Sequence, residues 1–283
     1  MRDDDAGAPS AGARLRGRTR RPDGSTLAWQ VQGPRDAPAL LLLQGQANHH
    51  GWWDRVRGDF ADRLTITFDY RGTGATRAPL DLEGEPWSTA LFADDAAAVV
   101  SALGRGSVDV YGTSMGGRVA QELVLRHPER VRRLVLGCTS PGGREATERS
   151  DDVRRALSQA DPDARLRATV DLFYRPSFTQ AWGGVDGVPT NLFGDPSMTP
   201  EAARRHLRVS AGHDALERLD RIQAPTLVMH GTDDEMVPAA NAQVIADRVP
   251  AAELMLVDGG RHGFFHEDQD VVSDRVRRFL DAP

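Results

Sequence analysis

The stretch Gly112-Thr113-Ser114-Met115-Gly116 decides the fold, because it joins the predicted strand Val108–Tyr111 to the amphipathic segment Met115–Arg126. The amphipathic segment predicts a helix with one apolar face. A serine flanked by glycines at a strand-to-helix turn is typical of a nucleophile elbow, where the serine backbone is strained and glycines avoid collisions. The context therefore indicates that the Ser114 hydroxyl stands at the carboxyl edge of a sheet, at a helix N-terminus that favours negative charge.

Further strands and helices are predicted to alternate on both sides of this turn. A hairpin of Leu15–Arg20 and Thr26–Val31, joined through Pro22-Asp23-Gly24, opens the fold. The other strands are predicted at Ala39–Leu43, Leu64–Phe68, Leu134–Gly137, Thr226–His230 and Glu253–Val257, and the other helices at Trp52–Arg63, Ser88–Leu103, Ala240–Arg248 and Asp268–Leu280. Such alternation predicts an α/β fold with a mostly parallel sheet and helices on both faces.

The alternation is interrupted once. After Ser140-Pro141-Gly142-Gly143, residues 144–213 show helical stretches and loops without a convincing buried strand. We therefore predict one α/β core made of residues 14–143 and 214–283, with residues 144–213 as a helical insertion. Residues 1–13 are rich in Ala, Gly and Pro and lack the apolar region of a signal peptide, so they are predicted to be a flexible tail.

Composition narrows the possible partners. The length of 283 residues suits one large domain, and the net charge of −6 argues against nucleic acid as the main partner. The single cysteine, Cys138, excludes an internal disulfide and a multi-cysteine metal site. No apolar run approaches the roughly 20 residues that span a bilayer. These features predict a soluble, cytoplasmic protein with no membrane partner, and they carry no signal for the oligomeric state.

A serine hydroxyl needs a base to take its proton, and the base needs a carboxylate to orient it. His262 lies in a glycine-rich loop directly after the strand Glu253–Val257, and such loops meet at the edge that carries the nucleophile. We prefer His262 to His266, which we expect to begin the last helix and face solvent. His49 and His50, in an early loop near the same edge, are candidates for lining a pocket.

Two aspartates are candidates for the orienting carboxylate. Asp233 and Asp234 both follow the penultimate predicted strand, and spacing alone does not separate them. An oxyanion hole also needs two backbone N–H donors. One candidate is Met115, the residue after the nucleophile, and the other is Gln46, in the loop after the strand Ala39–Leu43.

Taken together, four segments resemble the α/β-hydrolase superfamily, in particular the branch of small esterases and lactonases that includes 3-oxoadipate enol-lactonases. The segments are the Asp-x-Arg-Gly-x-Gly turn at residues 69–74, Ser-Met-Gly-Gly at 114–117, Gly-x-x-Asp at 231–234 with Val237-Pro238 following, and Gly-x-His at 260–262 with two phenylalanines following. The chain departs from the family in one place, since Gln44-Gly45 stands where His-Gly is usual.

This resemblance implies a serine hydrolase that cleaves a carboxylic ester or lactone through an acyl-enzyme, on a small apolar substrate and without cofactor or metal. It implies a catalytic triad of Ser114, Asp234 and His262, which selects Asp234 over Asp233. It also implies that residues 144–213 form a cap that roofs the active site. Haloalkane dehalogenases and epoxide hydrolases are disfavoured, because those relatives carry aspartate at the elbow.

Two questions stay open at the level of sequence. The aromatic residues Tyr174, Phe178 and Trp182 form either the cap's own core or the wall of an apolar substrate pocket, and Trp53 carries the same ambiguity. The same triad also supports C–C bond hydrolysis or cofactor-free perhydrolysis. A binding protein or biosynthetic cyclase that uses only the capped pocket is the alternative outside hydrolysis.

Overall fold

A single sheet of eight strands organises the computed structural model, which describes residues 14–79, 86–189 and 192–283. The strands are β1 Leu15–Arg20, β2 Thr26–Gln32, β3 Ala39–Leu43, β4 Leu64–Phe68, β5 Val108–Thr113, β6 Val131–Gly137, β7 Thr226–Gly231 and β8 Glu253–Val257. Their order across the sheet is β1-β2-β4-β3-β5-β6-β7-β8. The hairpin β1–β2 and the pair β2–β4 are antiparallel, and all later pairs are parallel. The predicted α/β fold is confirmed.

The register of the sheet aligns the strand ends that matter for function. Leu43 at the end of β3 pairs with Gly112 of β5, and Thr113 pairs with Gly137 at the end of β6. On the far side, Gly231 of β7 pairs with Val257 of β8. Because parallel strands end at one edge, the loops after β3, β5, β7 and β8 emerge close together there.

Helices cover both faces of the sheet, and their bounds follow most of the predictions. The helices are α1 Thr89–Ala102, α2 Met115–Arg126, α3 Asp151–Leu157, α4 Pro162–Phe173, α5 Pro176–Gln180, α6 Pro200–Ala211, α7 Ala240–Arg248, α8 Phe264–Glu267 and α9 Gln269–Asp281. At the start of α1, Ser88 caps the helix by accepting a hydrogen bond from the Leu91 N–H at 3.1 Å. Beyond its end, Gly104 adopts φ +69°, a conformation typical of a helix terminus.

The helix predicted at Trp52–Arg63 is wrong. The structure has two short 3₁₀ turns instead, His50–Trp53 and Arg57–Phe60. Each turn contains a glycine, which weakens a continuous helix. In addition, the buried Arg57 donates hydrogen bonds to the hydroxyl and the carbonyl of Thr65 in β4 at 2.7 and 3.0 Å. These bonds fix the segment against the sheet in a geometry that local periodicity does not reveal.

The two ends of the predicted insertion lie side by side, since Gly142 and Asp214 form an isolated antiparallel bridge. Between them, α3 to α6 are the α-helices, and the described part of 144–213 contains no strand. The assignment of this segment as a separate cap stays a prediction, and the tail predicted at 1–13 lies outside the described residues. In the part of the chain that the structure describes, no helix combines the length and the apolar character needed to span a bilayer.

Candidate active site

Ser114 stands in the turn between β5 and α2 with φ 54° and ψ −123°, a conformation that costs a non-glycine residue about 1–3 kcal/mol. The surrounding structure holds it there. The Ser114 N–H donates to the carbonyl of Gly137 at 2.9 Å, and the Ser114 carbonyl accepts from the hydroxyl of Thr139 at 2.7 Å. The side chain of Ser114 is partly exposed, so its hydroxyl is accessible.

Three glycines permit the tight turn. A Cβ on Gly112 would lie 2.3 Å from the Gly116 carbonyl oxygen, and a Cβ on Gly116 would lie 2.1 Å from the Leu43 carbonyl oxygen. A Cβ on Gly117 would lie 2.6 Å from the Thr139 side chain. The elbow therefore packs against the ends of β3 and β6 at distances that no other residue type tolerates.

His262 lies between β8 and α8 and reaches the serine. Its Nε2 is 3.0 Å from Ser114 Oγ, and its Nδ1 is 2.8 Å from Asp234 Oδ2. Since an ionised carboxylate only accepts, Nδ1 carries the proton and Nε2 is left as the acceptor for the serine hydroxyl. The His262 N–H donates to the Leu172 carbonyl at 3.3 Å, and the Phe173 ring packs edge-on against the imidazole at 4.9 Å between centroids.

Asp234 is the aspartate that the structure brings to His262, whereas Asp233 is exposed. Asp234 Oδ1 accepts from the Val237 N–H at 2.8 Å, and Oδ2 also lies 3.1 Å from His230 Nε2. Burial acts to raise the pKa of Asp234, but the adjacent His262 and the hydrogen bonds from His230 and His262 outweigh it and hold the pKa well below its usual range. The carboxylate is therefore ionised at neutral pH and suited to orient an imidazole.

The loop after β3 approaches the serine closely. A Cβ on Gly45 would lie 3.6 Å from Ser114 Cβ. The N–H of Gln46 makes no hydrogen bond to any described residue, while its carbonyl accepts from Asn48 Nδ2 at 3.1 Å. Met115 is the first residue of α2, where an N–H has no partner within the helix. Two free N–H donors thus lie near Ser114.

Gln44 occupies the position where the resembling family usually has histidine. It is fully buried, and its Nε2 donates to the Phe68 carbonyl at the end of β4 at 2.8 Å. The side chain therefore ties the loop after β3 to the neighbouring strand.

The prediction that His266 faces solvent is wrong. The single-turn helix α8 turns it inward, where it is fully buried beside Trp52 and its Nδ1 lies 2.7 Å from the Tyr174 hydroxyl. Burial, together with the positive charge of Arg55, lowers the pKa of His266 to about 3. This histidine is neutral and structural at neutral pH.

His49 and His50, predicted as pocket candidates, form a hydrogen-bonded turn with Asp69. His50 Nδ1 lies 2.7 Å from Asp69 Oδ1, and His49 Nδ1 accepts from the Gly51 N–H at 2.9 Å. The three side chains offer potential metal-ligating atoms within 4.8 Å of one another. Asp69 also accepts from the Ala75 N–H at 2.9 Å, so its carboxylate already serves as the acceptor that shapes this turn.

The four aromatic residues singled out for a pocket pack with other rings. Trp53 is fully buried against Tyr111, with ring centroids 5.0 Å apart. Tyr174, also fully buried, contacts Phe178 and Trp182 at 5.1 and 6.0 Å between centroids. The guanidinium of Arg55 covers these last two rings at 5.0 and 5.3 Å, an arrangement typical of cation–π contacts. Their role in substrate binding stays a prediction.

Two neighbours of the site were not predicted from sequence. Phe173, in the predicted insertion, is the ring that contacts His262. His230 Nε2 lies 3.1 Å from Asp234 Oδ2 and 2.7 Å from the Val237 carbonyl. The spacing of four residues between His230 and Asp234, across a strand end, was the available signal.

Comparison with known proteins places the chain in a family. The family model for the alpha/beta hydrolase fold matches residues 38–269. The candidate carbamate hydrolase RutD of Agrobacterium fabrum is 28% identical over 262 residues, which cover 89% of this chain and 97% of that protein.

Two solved structures are similar over nearly the whole chain. Est816, described as an N-acyl homoserine lactone degrading enzyme, is 25% identical with a TM-score of 0.78, and the match covers 93% of this chain and all of that one. The esterase RhEst1 from Rhodococcus sp. ECU1013 is 26% identical with a TM-score of 0.77, covering 94% and 98%. The matched residues include all three of Ser114, Asp234 and His262 within the span of the family model. The chain therefore belongs to the α/β-hydrolase fold family and is an enzyme of the α/β-hydrolase type.

Proposed function

We propose that this protein hydrolyses a carboxylic ester or lactone through an acyl-enzyme formed on Ser114. The observation that carries the proposal is the continuous row of hydrogen bonds from Asp234 through His262 to Ser114, with distances of 2.8 and 3.0 Å. In this row the hydroxyl has an acceptor for its proton and the imidazole has a fixed orientation. Such an arrangement suits nucleophilic attack on a carbonyl carbon.

The steps follow from these positions. Ser114 Oγ attacks the carbonyl carbon while its proton passes to His262 Nε2, and the carboxylate of Asp234 stabilises the imidazolium that forms. The N–H groups of Met115 and Gln46 stabilise the negative charge on the carbonyl oxygen. His262 then donates the proton to the leaving oxygen as the bond between that oxygen and the carbonyl carbon breaks, which leaves the acyl group on Ser114. A water molecule deprotonated by the same imidazole attacks the acyl carbon, and the proton returns from His262 to Ser114 Oγ as the acid is released. Apart from water, the proposed chemistry draws on side chains and backbone groups of the chain and calls for no cofactor or metal.

The choice of an ester or lactone has two supports. The esterase RhEst1 and the lactone-degrading Est816 are similar to this chain at 26% and 25% identity over more than nine tenths of its length. The Phe173 ring beside His262 supplies apolar surface next to the reacting groups, which favours a small substrate with an apolar part. RutD is named for carbamates, which like esters and lactones carry a carbonyl carbon that a serine hydroxyl could attack.

The test is labelling with a fluorophosphonate probe, followed by turnover of p-nitrophenyl esters and lactones graded by acyl length. We expect the folded protein to be labelled at Ser114, and Ser114→Ala to lose both labelling and turnover. Ser101→Ala, at an exposed position in α1, is the matched control and should keep both. A folded protein whose Ser114 stays unlabelled would contradict hydrolysis and favour a binding protein or cyclase. Labelling without ester or lactone turnover would point to C–C cleavage or perhydrolysis.

A further inference from the structure

Ala47, which follows the candidate oxyanion donor Gln46, has a left-handed backbone with φ 60°. This conformation is energetically unfavourable for an alanine, because its Cβ crowds the backbone. Both backbone groups of Ala47 are tied to the segment before β7. Its N–H donates to His206 Nδ1 at 3.2 Å, and its carbonyl accepts from the Asp195 N–H at 2.7 Å.

His206 is placed to act only as an acceptor toward Ala47. It lies in α6, fully buried, and its other nitrogen, Nε2, is 2.8 Å from the Arg71 carbonyl. A carbonyl oxygen only accepts, so Nε2 carries the proton and Nδ1 keeps a free lone pair for the Ala47 N–H. Burial lowers the pKa of His206 to about 4, which keeps the ring neutral over the physiological range. The ring packs against Phe92 at 5.4 Å between centroids.

Asp195 is equally well fixed. Its carboxylate accepts from the N–H and the hydroxyl of Ser197 at 2.8 and 2.6 Å, and from the N–H of Gly74. The side chain is buried between the turn at Gly74 and the loop after β3. The backbone N–H of Asp195 therefore reaches Ala47 from an anchored position.

These contacts fix the peptide plane between Gln46 and Ala47 at both ends. Its carbonyl oxygen, on Gln46, accepts from Asn48 Nδ2 at 3.1 Å, and its N–H, on Ala47, donates to His206. On the preceding side, the Gly45 carbonyl, which shares a peptide plane with the Gln46 N–H, accepts from the Asn48 N–H at 3.3 Å. With the planes before and after it constrained, Gln46 has little freedom to turn its own N–H away from the serine.

We propose that His206, assisted by Asp195, is a positioning residue that holds Ala47 in its left-handed conformation and thereby aims the Gln46 N–H at the oxyanion. The inference rests on the proposed function, since it assigns the Gln46 N–H a role in stabilising the oxyanion. It links helix α6 to the loop after β3 through the hydrogen bond from the Ala47 N–H to His206 Nδ1. His206 therefore acts through Ala47 and Gln46 and not by contact with the substrate.

The first experiment compares His206→Phe with His213→Phe. Phenylalanine keeps the aromatic packing at position 206 but removes the acceptor for Ala47. His213 is also a buried histidine, and it bonds Thr89 instead of the loop after β3, which makes it the matched control. Since removing an oxyanion donor costs about 10²–10³ in kcat, a donor that is only misaimed should cost about 10- to 100-fold, with KM changed by less than about threefold. His213→Phe should keep kcat within about threefold of the wild type.

Two rescues separate positioning from general destabilisation. His206→Asn places an amide oxygen near the position of Nδ1, so it should restore kcat to within about fivefold. Ala47→Gly removes the cost of the left-handed backbone, so adding it to His206→Phe should recover about five- to tenfold in kcat. A loss in His206→Phe that neither change recovers would overturn the proposal, as would equal kcat in the Phe variants at 206 and 213.

A readout independent of turnover distinguishes failure of this inference from failure of the proposed function. Hydrogen exchange of the peptide spanning residues 44–50 should speed up in His206→Phe and stay unchanged in His213→Phe. If the wild type takes no fluorophosphonate label, hydrolysis fails, and the exchange result still decides whether His206 holds the loop. If the wild type is labelled but exchange in the loop is unaffected by His206→Phe, the positioning role alone is wrong.

Discussion

Backbone strain at single residues gathers at the edge of the sheet that carries the site. Within the described ranges, four non-glycine residues have positive φ, and three of them, Ala47, Ser114 and Cys138, follow β3, β5 and β6. Strained conformations persist only where the surroundings determine them, and they concentrate at functional sites. The hydrogen bonds on Ser114 and Ala47 supply that determination, and under the proposed function the strained conformations orient the Ser114 hydroxyl and the Gln46 N–H.

At the scale of single residues, substitution of the two adjacent aspartates, Asp233 and Asp234, should have very different effects on kcat. Asp234→Asn should lower kcat by about 10³- to 10⁴-fold, because an amide no longer favours the His262 tautomer with the proton on Nδ1. Asp233→Asn, at an exposed position, is the control and should change kcat by less than about threefold. Steady-state turnover of the best ester from the panel measures both. The reverse order of losses would reassign the carboxylate.

The sequence could name both aspartates but not choose between them from spacing, because both follow β7 within three residues. What separates them is burial and a contact with His262, which depend on how two loops meet. The same limit explains the error at His266. A one-turn helix reverses which way a side chain points, and four residues are too few for periodicity to reveal the buried side.

At the scale of elements, a side chain added at a glycine of the turn between β5 and α2 should destabilise the fold. We expect Gly116→Ala to destabilise the fold by about 2 kcal/mol or more, since its Cβ would meet the backbone at the end of β3 and the backbone cannot yield without shifting the strand. Gly106→Ala is the control, because a Cβ there has no neighbour within 4 Å. Urea unfolding measures both variants. Equal stability of the two would mean that the elbow is looser than its contacts indicate.

Elements with strong periodicity were predictable, and those fixed by distant partners were not. The apolar run Ala39–Leu43 matches β3 residue for residue, because a strand buried on both faces is apolar throughout. The segment Met115–Arg126 likewise matches α2. By contrast, the turns at residues 50–60 depend on the bonds of Arg57 to a strand that comes later in the chain, and no local pattern contains that information.

Across the whole molecule, stability should fall as the solution becomes acidic. Burial lowers the pKa of His206 to about 4 and that of His266 to about 3, while unfolded histidines titrate near 6.5. Between pH 6.5 and 4 these two histidines bind protons in the unfolded chain but not in the folded chain. Their contribution to the free energy of unfolding is therefore fully present above pH 6.5 and is lost as the pH falls below it. Each histidine should account for about 3 kcal/mol of that loss by pH 4.

Urea unfolding at pH 7, 5.5 and 4.5 measures this dependence. The wild type should show a steep fall, and His206→Phe should show a shallower one because it lacks one of the buried imidazoles whose pKa is lowered. Equal slopes for the two proteins would mean that His206 is not shielded from protons in the folded state. The low pKa of Asp234 adds a loss in the same direction, which begins as the pH falls below about 4.

The predicted core and the predicted insertion at residues 144–213 differ in how much of their structure the sequence reveals. In the predicted core, the meeting of Ser114 with His262 follows from parallel strands that end at one edge. In the insertion, the contacts that matter are made to other segments, as in the edge-on packing of Phe173 on His262. Phe173 and His262 are nearly 90 positions apart in the chain, so the sequence alone does not show that these two rings meet.

The burial of Cys138 controls whether thiol-reactive reagents can modify the protein. Cys138 directly follows β6 and is fully buried, and this burial raises the pKa of its thiol well above the usual range. Alkylating agents and oxidants act on the thiolate, so they reach this atom only in molecules whose sheet has opened. Modification of the one sulfhydryl is thereby coupled to the rate of opening, and the native population is inert to thiol chemistry.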